Sequence, residues 1–144
     1  MYQRILVPLD GSERAEQVLP HVRELAHRFQ AKVILVRVVE PPDLVEDIIL
    51  YQQEAERRAE EAKEYLGRLR DDFQSEGIEA EIRVTYGPVV RKILEAADAD
   101  EVNLIAMASH GRTGLARVFY GSVAAGVLHS ADRPLLLIRS VDTG

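Results

Sequence analysis

The chain has 144 residues, 47% hydrophobic and 29% charged, the balance of a folded globular chain rather than a disordered one. Acidic residues outnumber basic ones, 24 to 18, which argues against a nucleic-acid binder built on clustered Lys and Arg. Without cysteine there are no disulfides, thiolate zinc sites or cysteine nucleophiles, and no apolar run approaches the ~20 residues of a membrane span.

The first apolar run, Ile5–Leu9, reads as a strand; with Pro8 inside it, it is too short for a signal-peptide core. Ser12 is placed to cap a following helix, on which Val18, Val22, Leu25 and Phe29 share one face. Pro20 lies inside that pattern and predicts a bend rather than a stop, because the apolar spacing continues past it. Val33–Val39 is the second strand, and the proline-bearing stretch Glu40 to Asp47 reads as a mobile loop. A long helix follows, roughly Glu46 to Glu76, with Ala55, Ala59, Ala62, Leu66, Leu69 and Phe73 as its stripe and Gly77 as its C-cap. Its other positions are crowded with charge, including the i,i+4 pairs Glu54–Arg58, Arg57–Glu61 and Glu64–Arg68, as on a solvated helix lying on a sheet.

Ala80–Tyr86 alternates apolar and polar residues, which places it towards a sheet edge. A helix opening at Pro88 carries Val89, Ile93, Leu94 and Ala97 inward. Leu104–Ala108 is the fourth strand, a helix after Gly121–Ser122 runs through Val123, Val127 and Leu128 to about Ser130, and Leu135–Ile138 closes the chain. Continuous apolar runs suit strands buried on both faces, so the alternating order predicts a three-layer α/β fold with a parallel sheet. There is no linker composition and no solenoid repeat, so one domain is expected over 1–144, acidic and cytoplasmic, with neither nucleic acid nor membrane among its partners.

Ligands of open parallel sheets bind beyond the carboxyl ends of the strands. The residues there are Pro8 to Ser12, Val38 to Glu40, and the stretch from Met107 through Gly111, Arg112 and Gly114 to Gly121–Ser122. A turn rich in Gly, Ser and Thr lets backbone N–H groups face an anion, and a helix opening at Gly121–Ser122 adds free N–H groups and a favourable dipole. Arg112 and Arg117 are near enough in sequence to supply charge. The alternative is a glycine-bearing connection that only turns a corner. The chain lacks GxxxxGK(S/T), and it lacks GxGxxG after the first strand. Asp10 has two compatible roles, a ribose or magnesium contact and a cap on the turn into the first helix. His21, His27, His110 and His129 have no zinc-site spacing, and Ser109 beside His110 is only a sequence neighbour.

These residues carry a resemblance. The sequence resembles the universal stress protein family over essentially its whole length: Ile5-Leu6-Val7-Pro8-Leu9-Asp10-Gly11-Ser12 is similar to that family's first strand and aspartate turn, and Val36-Arg37-Val38-Val39-Glu40 to its second strand end. The family's nucleotide-binding branch carries G-x2-G-x9-G-(S/T), and here Gly111, nine residues and Gly121-Ser122 match its second half, with Ala108 in place of the first glycine. The resemblance implies a five-stranded sheet of order 3-2-1-4-5, of the adenine nucleotide alpha hydrolase-like type, and ATP or a related nucleotide as ligand. It implies Asp10, Val38 and Met107 around the adenosine, and Ala108, Gly111, Gly121, Ser122 and Val123 around the ribose and phosphates; Pro8 and Leu9 at the first strand's end and Arg112 in the loop complete the expected nucleotide-binding set. It further implies a regulatory or chaperone-like factor and a homodimer through the last strand, Pro134 to Arg139. Magnesium or manganese is expected to come with the phosphates, and turnover to be slow, since no general base with an orienting partner is evident. A nucleotide-free dimeric interaction module of the same family is the other reading.

Overall fold

The computed structural model describes residues 1–110 and 121–141. Five parallel strands, β1 (Arg4–Pro8), β2 (Lys32–Val39), β3 (Ala80–Tyr86), β4 (Leu104–Ala108) and β5 (Leu135–Ile138), form one sheet in the order β3-β2-β1-β4-β5. The helices are α1 (Glu13–Glu16), α2 (Leu19–Phe29), α3 (Ile48–Ser75), α4 (Val89–Ala99) and α5 (Ser122–Ser130). The expected strand order and edge position of β3 are both observed. β1 lies between β2 and β4, so the chain changes winding direction on its two sides and leaves a crevice at its carboxyl end.

Alternate residues of each strand feed separate cores. Ile5, Val7, Val33, Leu35 and Ala106 pack with Val22, Leu66 and Phe73 beneath α2 and α3. Leu6, Ile34, Val36, Ile105 and Met107 pack with Ile93, Ala97 and Val127 beneath α4 and α5. Ile5, Leu6 and Val7 are 0% exposed, which is why β1 reads as an unbroken apolar run. Each such buried side chain contributes about 1.5–3 kcal/mol.

The expected bend at Pro20 is instead a break between two helices. Gln17 and Val18 donate to Arg14 and Ala15, three residues back, so α1 tightens and ends. Pro20 then stands in the first turn of α2, where its missing N–H costs nothing. One residue of the expected apolar face also differs: Phe29, at the end of α2, is 38% exposed and packs edge-on against Tyr2.

α3 starts at Ile48, later than expected, because the Asp47 side chain accepts from the N–H groups of Ile49 and Leu50. At its other end Gly77, at φ +81°, donates to Gln74 while Ile78 donates to Phe73, the paired bonds of a Schellman cap. The stretch before α3 has no regular structure, but its start is tied down: Arg58 Nη1 donates to the carbonyls of Glu40 and Pro41 at 3.2 and 3.4 Å.

Candidate functional site

The turn after β1 is built around Asp10. Its Oδ1 accepts from the Ser12 N–H at 3.0 Å and the Ser12 hydroxyl at 2.6 Å, and Ser12 Oγ in turn accepts from Ala15 N–H to cap α1. Gly11 joins them at φ +88°, a conformation a side chain would resist. Asp10 therefore does hold the turn, while also lining the cleft above it.

That cleft, about 500 Å³, opens at the carboxyl ends of β1, β2 and β4, a size ordinary for a small-molecule site. One bank is apolar: Val36 and Val38 from β2, Val89 and Ile93 from α4, Met107 from β4, and Val123 and Ala124 from α5. The other bank is charged, with Arg37 and Glu40 from the end of β2 and Arg57, Arg58 and Glu61 from α3. Arg57 holds Glu54 through two hydrogen bonds of 2.9 and 2.7 Å and reaches Glu61 at 3.0 Å; Arg58 Nε donates to Glu54 at 3.0 Å. These guanidiniums, Arg57 first, bring the Glu54 carboxyl down to about 2. Behind Arg37 the Tyr65 hydroxyl donates to Glu16 at 2.7 Å, and burial followed by that bond pushes its pKa well above the ordinary phenol range.

At the far end, α5 begins at the N-cap Gly121 without a side-chain cap. The Gly121 N–H itself donates to the Ser109 carbonyl at 2.6 Å, so the amides left for an anion are those of the first turn of α5, from Ser122 onward. Ser109, only 2% exposed, is the buried polar residue among the described residues. Its Oγ accepts from Ser140 N–H at 3.0 Å, lies 3.2 Å from Ser140 Oγ and 3.0 Å from His110 Nδ1, and ties the end of β4 to the chain leaving β5. Ala108 sits in β4, paired with Ile138, and is not among the residues of positive φ, so alanine carries no backbone strain there.

Of the residues expected from the sequence, Pro8, Leu9, Asp10, Val38, Met107, Ala108, Gly121, Ser122 and Val123 come together around this one cleft. Gly111 and Arg112 lie outside the described residues. Sequence reasoning missed the charged bank apart from Glu40. Arg37 was visible as the one charge inside the apolar run Val33–Val39, whereas Arg57 and Arg58 belong to a helix face whose charges all look alike in the sequence. Among the described residues there is no group of three His, Asp or Glu side chains able to hold a metal ion, and no helix is long and apolar enough to cross a membrane.

Comparison with known proteins gives the same architecture. The universal stress protein MJ0577 of Methanocaldococcus jannaschii is 26% identical over 96% of both chains, and its solved structure superposes with a TM-score of 0.91 at 27% identity over 99% of both. A universal stress protein solved in complex with cAMP shares the fold at a TM-score of 0.65 and 23% identity, covering 97% of this chain and 98% of that one. A family protein from Arabidopsis thaliana solved with AMP bound does so at 0.72 and 13%, covering 96% and 92%. The model of the universal stress protein family matches residues 1–139, and with this sheet order and crevice the chain belongs to that family.

Proposed function

We propose that this chain binds an adenine nucleotide, ATP foremost, in the crevice at the end of β1, and works as a nucleotide-dependent regulator or chaperone-like stress factor in the cytoplasm. The observation that carries this reading is the pairing, within one cleft, of an apolar slot with an uncapped helix N-terminus. The slot between Val38 and Met107 suits a purine, Asp10 stands where a ribose hydroxyl would need an acceptor, and the first turn of α5 offers its N–H groups to phosphate. The cAMP and AMP complexes of proteins with this fold lend support, as does the motif running from Gly111 to Ser122. Magnesium or manganese would arrive on the phosphates, since Asp10 is the only carboxylate at the β1 end of the described cleft. Hydrolysis is slow in this reading, because the sequence carries no GxxxxGK(S/T) lysine to neutralise charge developing on the phosphates. Calorimetry on nucleotide-stripped protein tests it: ATP with magnesium should bind with a micromolar Kd. No heat of binding for ATP, AMP or cAMP at millimolar concentration would leave the nucleotide-free interaction module as the better reading.

The same proposal makes the chain, as a single domain over 1–144, a homodimer through Pro134 to Arg139. β5 is an outer strand whose residues Leu135 to Ile138 are all apolar and only half-buried in the single chain. An edge so apolar is a pairing hazard unless covered, and a two-fold axis would pair it with its own copy. Light scattering at micromolar concentration should give twice the mass of the chain, and a monomer mass with and without ATP would sink the idea.

A further inference from the structure

The N-terminal half of α3 does not belong to the core. Its first buried residue is Ala62, halfway along the helix, and with Leu66 and Phe73 that completes what α3 buries. Ahead of Ala62 the same stripe runs back through Ala59 and Ala55, both half-buried. Ile49 and Leu50 stand off that stripe, more than a right angle away around the helix at about 100° per residue. Packing on the sheet gives no reason for either to be apolar.

They belong instead to an exposed crest. Leu44 is 93% exposed, and Val45, Ile48, Ile49 and Leu50 are each more than half exposed. Single bare aliphatics are ordinary on a surface, whereas five within one short stretch mark an interaction site. The crest is also held out by its frame. Arg58 Nη1 donates to the carbonyls of Glu40 and Pro41 on one side, and the Asp47 carboxylate accepts from the Ile49 and Leu50 amides on the other.

Charge says what covers it. From Val38 to Glu56 the chain carries Glu40, Asp43, Glu46, Asp47, Glu54 and Glu56, and no lysine, arginine or histidine. Arg57 and Arg58 take Glu54, but among the described residues no cation pairs with Asp43, Glu46 or Glu56. A second copy laid on this crest would set acid against acid, and an anionic lipid surface would do the same. An apolar face edged with lysine or arginine answers both the bare aliphatics and the carboxylates around them.

We propose that the crest from Leu44 to Leu50 is a docking surface for a basic amphipathic helix of a protein partner. It stands apart from the nucleotide reading, since no residue of the crest lines the described cleft.

Fluorescence anisotropy with a labelled synthetic helix of leucine and lysine in amphipathic register tests this on the full chain. The peptide should bind with a micromolar Kd that weakens as salt rises. Burying one aliphatic side chain is worth about tenfold or more, so Ile49→Gln with Leu50→Gln should weaken it at least about tenfold, with melting temperature as the fold control. If that pair does not fold, Leu44→Ser, ahead of the helix, carries the same comparison. Asp43→Asn with Glu46→Gln should cost about threefold at low salt and nothing at high salt. Asp71→Asn with Asp72→Asn, at the other end of α3, should leave binding within about twofold. The same peptide with glutamate for lysine, or serine for leucine, should bind at least about tenfold more weakly. No binding at millimolar concentration, unchanged affinity in the crest variants, or equal binding of either control peptide overturns the proposal. Light scattering and flotation with phosphatidylglycerol vesicles test the rival occupants. A mass that falls in Ile49→Gln with Leu50→Gln would give the crest to a second copy, and vesicle binding lost in that variant would give it to a membrane; either result overturns the proposal.

Discussion

The two banks of the cleft meet at β2, whose alternate residues turn to opposite sides. Val36 and Val38 turn towards α4 and join the core beneath it, while Arg37 turns towards α3 and stacks on Tyr65. A strand buried on both faces is normally apolar throughout, so the apolar bank follows from the fold and the charged bank does not. The first gives shape for a flat ring; the second is bound up in ion pairs among Arg57, Arg58, Glu54 and Glu61. Packing therefore accounts for one side of the site, and only a ligand's charge gives the other a purpose.

The largest effect expected is at the end where the apolar bank meets the α5 terminus. Gly121 has φ −67° and ψ 163°, an extended conformation that valine adopts readily. Gly121→Val should keep the fold, at a cost of about 1 kcal/mol for a poorer N-cap, while its branched side chain fills the approach to the first α5 amides. ATP affinity should fall by ~30-fold or more, each lost amide contact to phosphate being a hydrogen bond to a charged group. A well-folded variant with unchanged affinity would take the α5 terminus out of the site.

Next comes the charged bank. Arg58 clasps the carbonyls of Glu40 and Pro41, the residues that carry the chain out of β2 just past Val38. Arg58→Ala should loosen that wall and weaken ATP, AMP and adenosine alike, by about threefold to tenfold for the loss of one or two hydrogen bonds. That uniform loss is the signature of a residue that shapes the cleft, and a loss confined to ATP in Arg58→Ala would instead make it a contact to the phosphates.

A smaller change is expected at Ala108, on the floor between the banks. Its strand conformation rules out relief of backbone strain, so a gain in Ala108→Gly would come only from closer approach of the ligand. ATP binding should tighten by about twofold to threefold, with a stability loss of about 0.5–1 kcal/mol for glycine in a strand. Equal or weaker binding would mean that the methyl group does not touch the nucleotide.

How much of this was legible beforehand divides along the same line. The limits of β3, β4 and β5 were readable from the sequence because apolar and alternating runs report burial directly, and Gly77 marked the end of α3 because few residues accept its φ. The break at Val18 was not, since apolar spacing runs unbroken through Leu19 and Val22 and carries no record of three-residue hydrogen bonds. On the apolar bank, Val38, Met107 and Val123 were identified through the family resemblance. On the charged bank only Glu40 was, as a residue just past the second strand. Which of α3's many charges face the cleft depends on how far along β2 the helix crosses it, and that is a tertiary quantity with no signature in a helical period.

The smallest effect concerns pH, and it tests whether the charged bank is a fixed structure. Glu54 accepts from both Arg57 and Arg58, and its carboxyl titrates near 2 in place of the ordinary 4.5. A carboxylate whose pKa is depressed by folding stabilises the folded state above its unfolded value, and the contribution is lost as pH falls through the folded one. The stability that the bridge adds should therefore be full above 4.5 and decline as pH falls from 4.5 to about 2, the bridge itself opening only near the lower value, where Arg58 Nε is freed and its hold on Glu40 and Pro41 loosens. Amide exchange should rise through that window around residues 40–58 before it rises beneath α4 and α5. In Glu54→Gln, which cannot titrate, exchange around those residues should already be raised at neutral pH and change little on acidification. Both observations follow from a bridge set by geometry. If the Glu54 carboxyl carbon, followed by NMR, titrates at an ordinary glutamate value, the arginines are not fixed, and Arg58 cannot be the wall of the cleft.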